Sequence, residues 1–311
     1  MINRELIRLK VVQLVYAFHQ NGDKTFDVAD KELSFSLDKA YDLYKYLLTL
    51  LVEMKRFAER KENTRIARES RMPGGVRASS NDKPMAENKF LNQLEQNKYL
   101  VEYIEKSKKP WPDEESLVKN LYKQFTDSDV YQLYLTKGEF DYEADREVIR
   151  KLYKTIVCTT DLLDSSIEEA SLYWNDDKTI VDSFVLKTIK RFDPANGSDQ
   201  TLLPDYASDD DRVFAHALFK AALEYRDKTY ECVAQTSRNW DVTRVATMDL
   251  VIMQTALAEI MTFPSIPLSV SFNEYLDIAK IYSTPRSASF INGLLDRIVR
   301  RLVDAGELLK R

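Results

Sequence analysis

The stretch from residue 239 to residue 302 constrains this chain most, because its apolar residues recur at the spacing of three consecutive helices. The first helix is predicted to begin near Trp240 and to be stopped by Pro264. One side of it carries Val245, Ile252, Ala256, Leu257 and Ile260. That side must be buried, so the stretch predicts helices packed around a core.

The next two helices have start signals of their own. Ser271 and Glu274 have the spacing of a capping box, in which each side chain bonds a backbone N–H at the start of a helix. Thr284 followed by Pro285 predicts the start of the third helix, because proline at the first helical position loses no hydrogen bond. This helix is expected to run to about Val303.

The third helix has two different sides. The apolar side contains Ile291, Leu294, Leu295, Ile298 and Leu302, and the basic side contains Arg286, Arg297, Arg300 and Arg301. Phe290 falls at the margin, on the side of Arg286 and Arg297, and Gly293 leaves the backbone open among the basic residues. Single-stranded RNA stacks bases on aromatic rings and binds phosphates through guanidinium groups. The pattern therefore predicts base stacking on Phe290, with phosphates on Arg286 and Arg297.

Composition favours an all-α globular protein. The chain has 311 residues, 44% of them hydrophobic, but only seven glycines and nine prolines, and no long segment alternates as a strand does. This length allows one large or two small domains. The net charge of −5 argues against a generally basic nucleic-acid binder, so RNA affinity must come from local patches.

The residue types that most enzymes and metal sites need are sparse. Cys158, Cys232, His19 and His216 are far apart in sequence, and the common phosphate-loop and zinc-ligand motifs do not occur. We therefore expect no catalytic residues, no metal and no cofactor. No export signal and no run of about 18 apolar residues is found, so we expect a cytoplasmic protein without a membrane span.

Residues 2–20 are predicted to form an amphipathic helix that ends at Asn21 and Gly22. Its buried stripe contains Ile7, Val11, Leu14 and Phe18. Arg4 and Arg8 are one turn apart at the edge of this stripe, and Lys10 lies farther round the helix. These three cations are either a basic contribution to RNA binding or solvated charges on a docking helix.

The region from residue 55 to residue 86 is expected to be a basic linker that follows a helix over residues 30–58. Arg60, Arg65, Arg68 and Arg71 are its candidates for a secondary RNA contact, and Pro73 to Gly75 should form a loop. Two interpretations stay open for this region. It is either a solvated helix end and linker or a second element that contacts RNA electrostatically.

Further helices are predicted over residues 87–107, 113–125, 127–135, 139–174 and 176–192. Trp111, between two prolines, is expected to pin its loop to the core. The polar loop over residues 193–211 is the best internal boundary. The predicted organisation is an N-terminal helix at 1–22, a helical middle region at 23–208 and a C-terminal helical bundle at 209–311.

The C-terminal stretch resembles the NusB transcription antitermination factors. The residues that carry the resemblance are Trp240, Arg244, Asp249, Ile252, Ala256, Leu257, Glu259, Pro267, Val270, Asn273, Glu274, Ala279, Lys280, Phe290, Asn292, Gly293, Leu295 and Asp296. It covers about residues 209–305, with a weaker match near Gln13 and Tyr16. The resemblance implies a NusB-like helical bundle, enlarged here by a long helical insertion in the middle of the chain.

The resemblance also implies a function. Such proteins bind the boxA element of nascent ribosomal RNA transcripts, pair with the ribosomal protein NusE and act in the RNA polymerase antitermination complex. The expected RNA-binding residues are Arg4, Arg8, Lys10, Arg286, Phe290 and Arg297. One alternative is a helical protein-interaction scaffold that keeps this fold without strong RNA binding. Another is the RNA-targeting module of an RNA-modifying enzyme, which the missing glycine-rich cofactor loop disfavours.

Overall fold

The computed structural model describes residues 1–22, 25–71, 80–107, 111, 115–138, 140–174, 176–236, 245–284 and 286–308. Every regular element in these ranges is helical, and an isolated parallel bridge joins Ile2 to Tyr206. The all-α prediction is therefore confirmed. The α-helices are α1 (Arg4–Asn21), α2 (Phe26–Glu69), α3 (Lys83–Ala86), α4 (Lys89–Glu95), α5 (Lys98–Ser107), α6 (Glu115–Asp127), α7 (Asp129–Lys137), α8 (Tyr142–Leu152), α9 (Asp164–Ala170), α10 (Lys178–Arg191), α11 (Asp209–Glu224), α12 (Arg226–Thr236), α13 (Thr247–Thr262), α14 (Leu268–Tyr282) and α15 (Ser287–Asp304).

The chain divides into two compact units. The middle unit consists of Met1 and Lys39–Pro204, and the terminal unit consists of Ile2–Asp38 and Asp205–Arg311. Helices α3 to α10 belong to the middle unit, α1 and α11 to α15 belong to the terminal unit, and α2 has residues in both. None of the described helices combines the length and the apolar character that crossing a membrane requires.

Helix α13 is the centre of the terminal unit. It packs against α1, α11, α12, α14 and α15, and every residue from Asp249 to Ile260 is buried. The sequence pattern predicts one buried side, whereas the structure buries the helix all round because helices surround it. The helix ends before Pro264, as predicted, while the predicted start at Trp240 lies outside the described residues.

The predicted capping box at Ser271 and Glu274 is wrong. Helix α14 begins at Leu268, with Pro267 as its N-cap, so both residues lie inside the helix. Ser271 Oγ instead donates to a buried carboxylate, that of Glu259, at 2.7 Å. A charge in the apolar core needs hydrogen-bond donors, and Ser271 supplies one. Ser271 therefore does not cap a helix, although the local sequence fits a capping box, and it makes a tertiary contact with α13 instead.

The C-terminal end of α1 agrees with the prediction, whereas its first residue, Arg4, lies two residues later than predicted. Asn3 caps its start, because the Asn3 Oδ1 atom accepts a hydrogen bond from the Leu6 N–H at 3.0 Å. The helix ends at Asn21, where Gly22 has a φ of 57°. A residue with a side chain adopts this left-handed conformation only at a cost, so glycine stops the helix here.

Helix α15 begins later than predicted. Its first residue is Ser287 and its last is Asp304, and Arg286 is the N-cap. The Thr284 and Ser287 hydroxyls hydrogen-bond each other at 2.8 Å, so Thr284 holds the turn that leads into the helix. The predicted role of Pro285 lies outside the described residues.

The middle unit packs around α8, which contacts α4, α7 and α10. Two predicted long helices are broken in this unit. The helix predicted over residues 87–107 is split into α4 and α5 at Asn97, whose side chain donates to the Gln200 carbonyl at 2.7 Å and accepts from the Leu100 N–H at 3.4 Å. The helix predicted over residues 139–174 turns after α8 into a π-helix and short helical segments: Tyr153–Val157, Asp161–Leu163, α9 and Leu172–Trp174.

The expectation for Trp111 is confirmed. Trp111 is buried, stacks on Tyr46, and donates from Nε1 to the Tyr46 carbonyl at 3.2 Å and to Thr49 Oγ1 at 3.1 Å. Helix α2 continues past residue 58 to Glu69, so residues 59–69 of the expected linker lie inside the helix. The loop predicted at residues 73–75 lies outside the described residues.

Candidate nucleic-acid interface

Helix α15 places three predicted RNA-binding residues on one face. Phe290 follows Arg286 by one turn, and Arg297 follows Phe290 by two further turns, so the three positions nearly coincide at about 100° per residue. Arg286 and Arg297 are exposed, and Phe290 is half-buried. The other side of the helix is buried in the terminal unit through Ile291, Leu294, Leu295, Ile298, Val299 and Leu302.

The arginines of α15 differ in how their charges are compensated. The Arg300 guanidinium pairs with Asp296 at 3.1 Å, and Arg301 Nη1 donates to Gln235 Oε1 at 2.5 Å. Among the described residues, no carboxylate lies within ion-pair distance of Arg286 or Arg297. These two cations therefore remain available to an anionic ligand.

Gly293 lies on the exposed side of α15 between these residues. Apart from the adjacent residues and the backbone of α15 itself, a Cβ atom added there would meet no described atom within 4 Å, and the residue has no positive φ. The fold itself therefore does not require glycine at this position. The bare backbone leaves room for a ligand to approach the helix beside Phe290.

Arg4 on α1 is partly available. Its side chain is 42% exposed, its Nε atom lies 3.1 Å from Asp211 Oδ1, and its guanidinium lies 4.8 Å from the centre of the Phe214 ring. One carboxylate and one ring thus hold the side chain in place while part of it faces solvent. This geometry suits a peripheral phosphate contact.

Arg8 and Lys10 are buried, with exposures of 3% and 1%. Arg8 Nε donates to Glu259 Oε2 at 2.7 Å, Arg8 Nη2 donates to Glu259 Oε1 at 3.2 Å, and Arg8 Nη1 lies 3.3 Å from Glu274 Oε2. Burial by itself would lower the pKa of Arg8. The hydrogen bond and the electrostatic attraction to Glu259 outweigh this effect, so the pKa of Arg8 is raised. Direct RNA contact by Arg8 or Lys10 does not fit this burial.

Glu259 is the acceptor at the centre of this buried network. Besides Arg8, it accepts hydrogen bonds from Ser271 Oγ at 2.7 Å and Tyr275 Oη at 3.1 Å. Burial raises the pKa of Tyr275 well above its usual value, and burial also raises the pKa of Glu274 despite the opposing attraction to Arg8. The network joins α1, α13 and α14. Its one sequence signal is a glutamate inside a predominantly apolar helix.

The candidate secondary residues lie near the end of α2 in the middle unit. Arg60 Nη2 lies 2.9 Å from Glu53 Oε1, and Arg65 pairs with Glu62 at 2.6 Å and with Glu69 at 2.5 Å. The Arg65 hydrogen bond lowers the pKa of Glu62 to about 2. Arg68 and Arg71 are exposed, and neither has a carboxylate within ion-pair distance in the described part of the chain. Arg60 and Arg65 are thus held in ion pairs, whereas Arg68 and Arg71 have no carboxylate partner among the described residues.

Within the described ranges, no group of three His, Cys, Asp or Glu side chains could hold a metal ion. Burial raises the pKa of the Cys158 thiol to about 12, and burial also raises the pKa of the Cys232 thiol. Both cysteines are therefore protonated thiols with little nucleophilic character at neutral pH.

Comparison with known proteins covers the part of the chain that contains α15. The sequence model of the NusB family matches residues 186–300, which include α11 to α14 and most of α15. A transcription antitermination protein NusB from Dictyoglomus turgidum is 42% identical over 89 residues, and one from Salinibacter ruber is 38% identical over 99 residues. A third, from Geobacter sulfurreducens, is 38% identical over 95 residues.

The coverage of these similarities is partial. The aligned residues make up 29%, 32% and 30% of this chain and 62%, 62% and 69% of the three relatives, in the same order. The chain therefore spans about three fifths of the length of the first two relatives. No solved structure matches this chain.

Proposed function

The chain belongs to the NusB family, and from that membership we propose that it is a non-enzymatic, RNA-binding transcription antitermination factor. Its RNA is a boxA-like sequence of nascent ribosomal RNA transcripts. It binds this RNA together with the ribosomal protein NusE, in the RNA polymerase antitermination complex. The named relatives are themselves transcription antitermination proteins.

The observation that carries the proposal is the exposed face of α15. Arg286 and Arg297 have no carboxylate partner in the described chain, and the half-buried ring of Phe290 lies on the same face. In this arrangement one base stacks on the ring while the two guanidinium groups bind separate phosphates of the same strand. The open backbone at Gly293 lets the strand come close to the helix.

Helix α1 contributes differently from the sequence expectation. Arg4 is the candidate phosphate contact on this helix, because part of its side chain faces solvent, and a phosphate there competes with Asp211 for the guanidinium. Arg8 is a positioning residue, since it anchors α1 to the buried carboxylate of Glu259. Lys10 is buried, so the proposal assigns it no direct contact with RNA.

A helical protein-interaction scaffold is the second candidate function. Two observations favour it. The protein has a net charge of −5, and the family match begins only at residue 186, so most of the middle unit lies outside it. In this alternative the middle unit supplies the surface that binds partner proteins, and α15 does not bind RNA.

Titration of the full chain with labelled RNA separates the two functions. A boxA-containing RNA and a scrambled RNA of the same length are compared, each with and without NusE. The antitermination function predicts tighter binding of the boxA RNA, and tighter still with NusE. Equal and negligible binding of both RNAs under both conditions would leave only the scaffold.

A charge-matched pair of variants on α15 tests the interface itself. Arg297→Gln should reduce the slope of log affinity against log salt by about 0.7, the value expected when one cation is removed from a phosphate of a single strand. Arg300→Gln removes the same charge from the same helix, but that charge is already compensated by Asp296. It should change the slope much less. Equal slopes for the two variants would reject the assignment of Arg297.

A further inference from the structure

A groove in the middle unit has features of a ligand site. Its volume is about 570 Å³, and it is open to solvent. It lies between the C-terminal part of α2 and the start of α6, and its lining residues are Phe57, Arg60, Lys61, Thr64, Arg65, Arg68, Glu69, Asp82, Glu115 and Lys119. Five of these carry positive charge and three carry negative charge, so the groove is basic although the whole chain is acidic.

The contacts divide the cations of the groove into two groups. Arg60, Lys61 and Arg65 each form an ion pair, at distances of 2.5 to 2.9 Å, with Glu53, Asp82, Glu62 or Glu69. Arg68 on α2 and Lys119 on α6 are both exposed, and the described residues place no carboxylate within ion-pair distance of either. Two cations from different helices, neither paired with a carboxylate of the described residues, therefore line one groove.

The groove also has an aromatic wall. Phe57 is half-buried, and its ring centre lies 5.0 Å from that of Tyr122. The Arg60 guanidinium lies 5.8 Å from the centre of the Phe57 ring. Tyr122 is fixed in turn by its hydroxyl, which donates to Asp82 Oδ1 at 2.6 Å. The ring of Phe57 is thus held in place at a surface lined by cations.

We propose that this groove is a second binding site for single-stranded RNA, with Arg68 and Lys119 on its phosphates and Phe57 beside its bases. Grooves that bind single strands without base preference combine these two features, cations along the backbone and an aromatic ring for stacking. The inference rests on the proposed RNA-binding function and adds a contact outside the family match. Lys119 is far from α2 in sequence, so the sequence pattern alone did not include it.

A double variant tests the groove in the full-length protein. Arg68→Gln combined with Lys119→Gln removes both uncompensated cations from exposed positions, so the fold is retained. Binding of boxA-containing and scrambled RNA is measured over a range of KCl concentrations. Both RNAs should bind more weakly by the same factor, and the salt slope should fall by about 1.4, since each single-strand contact contributes about 0.7.

The matched control is Lys187→Gln combined with Lys190→Gln on α10. Both lysines are exposed, belong to the middle unit and are absent from the groove lining. This control removes the same charge and should leave affinity and slope near those of the unmodified protein. An equal loss in both double variants would overturn the groove as a site, because general electrostatics would then explain the effect.

Two further results separate this inference from the proposed function. If the Arg68 and Lys119 variant binds RNA like the unmodified protein while Arg297→Gln binds more weakly, the groove is overturned and the antitermination function stands. If the unmodified protein binds neither RNA, with or without NusE, the proposed function fails and the groove proposal fails with it. In the expected case, RNA that carries 4-thiouridine crosslinks under ultraviolet light to peptides of α2 or α6.

Discussion

Arg8 and Glu259 form a buried ion pair between residues 251 positions apart in the sequence. Two hydrogen bonds join the guanidinium to the carboxylate, at 2.7 and 3.2 Å, and the side chains are 3% and 0% exposed. Because two hydrogen bonds are made, this geometry fixes both the position of α1 on α13 and the angle between the two helices. The pair thus sets where Arg4 emerges at the surface of the terminal unit.

Removal of one partner from this pair should destabilise the terminal unit strongly. We expect Arg8→Met to cost about 3–5 kcal/mol, because it leaves the Glu259 carboxylate buried without its counter-charge. Urea unfolding measures the change. Arg4→Met is the control on the same helix, and it should cost at most about 1 kcal/mol because its pair with Asp211 is partly exposed. Similar costs for both variants would contradict the assignment of Arg8 as an anchor.

Phe290→Ala should weaken RNA binding by about 1–3 kcal/mol, the usual contribution of one stacked base. Its stability cost should be lower than the roughly 3–5 kcal/mol of a fully buried phenylalanine, because the ring is half-buried. Leu295→Ala is the matched control, since Leu295 is fully buried on the same helix. That variant should lose stability but keep the RNA affinity of its folded fraction. A Phe290→Ala protein that behaves in the same way would end the stacking proposal.

Gly293→Ala should have opposite effects on stability and on binding. The added methyl group meets open space, and alanine favours a helix interior over glycine by about 0.5–1 kcal/mol. Thermal melting should therefore occur at a higher temperature. RNA affinity should fall, because the methyl group occupies the space where the strand approaches the backbone. A higher melting temperature with unchanged affinity would show that RNA does not approach α15 at this point.

The terminal unit should lose stability on mild acidification because of His19. Burial lowers the pKa of His19, the hydrogen bond with Gln254 opposes this, and the charge of Arg226 adds to the lowering. A histidine with a lowered pKa in the folded state binds its proton preferentially in the unfolded chain. Its contribution to stability is therefore complete above the unfolded pKa of about 6.5 and is lost as the pH falls through that value toward the folded pKa.

Melting temperatures measured from about pH 8 down to about pH 5 check this prediction, since histidine titrates in that range. His19→Gln removes the titrating group and should flatten part of the decline. An identical pH profile for the variant and the unmodified protein would exclude His19 as a source of the dependence.

Much of the helical content was predictable because it depends on short-range chemistry. Gly22 and Gly138 end α1 and α7 with φ values of 57° and 67°, and in each case the glycine directly follows the last residue of the helix. The apolar periodicity of α15 likewise predicted correctly which side of the helix is buried and which side carries the arginines. Family membership could also be inferred from residue spacing, because the matching residues lie in one continuous stretch.

The buried network and the groove depended on tertiary structure. Ser271 and Glu274 satisfy a local capping rule, yet their side chains bond Glu259 and Arg8, which other helices bring to them. Arg8 and Arg4 look alike in sequence, and burial alone makes one an anchor and the other a surface cation. By itself the sequence determined the helix type, the polarity of each face and the family, since these follow from neighbours within about one or two helical turns. Which charges are compensated, and which remain available to a ligand, was decided only by packing, because the partners lie far apart along the chain.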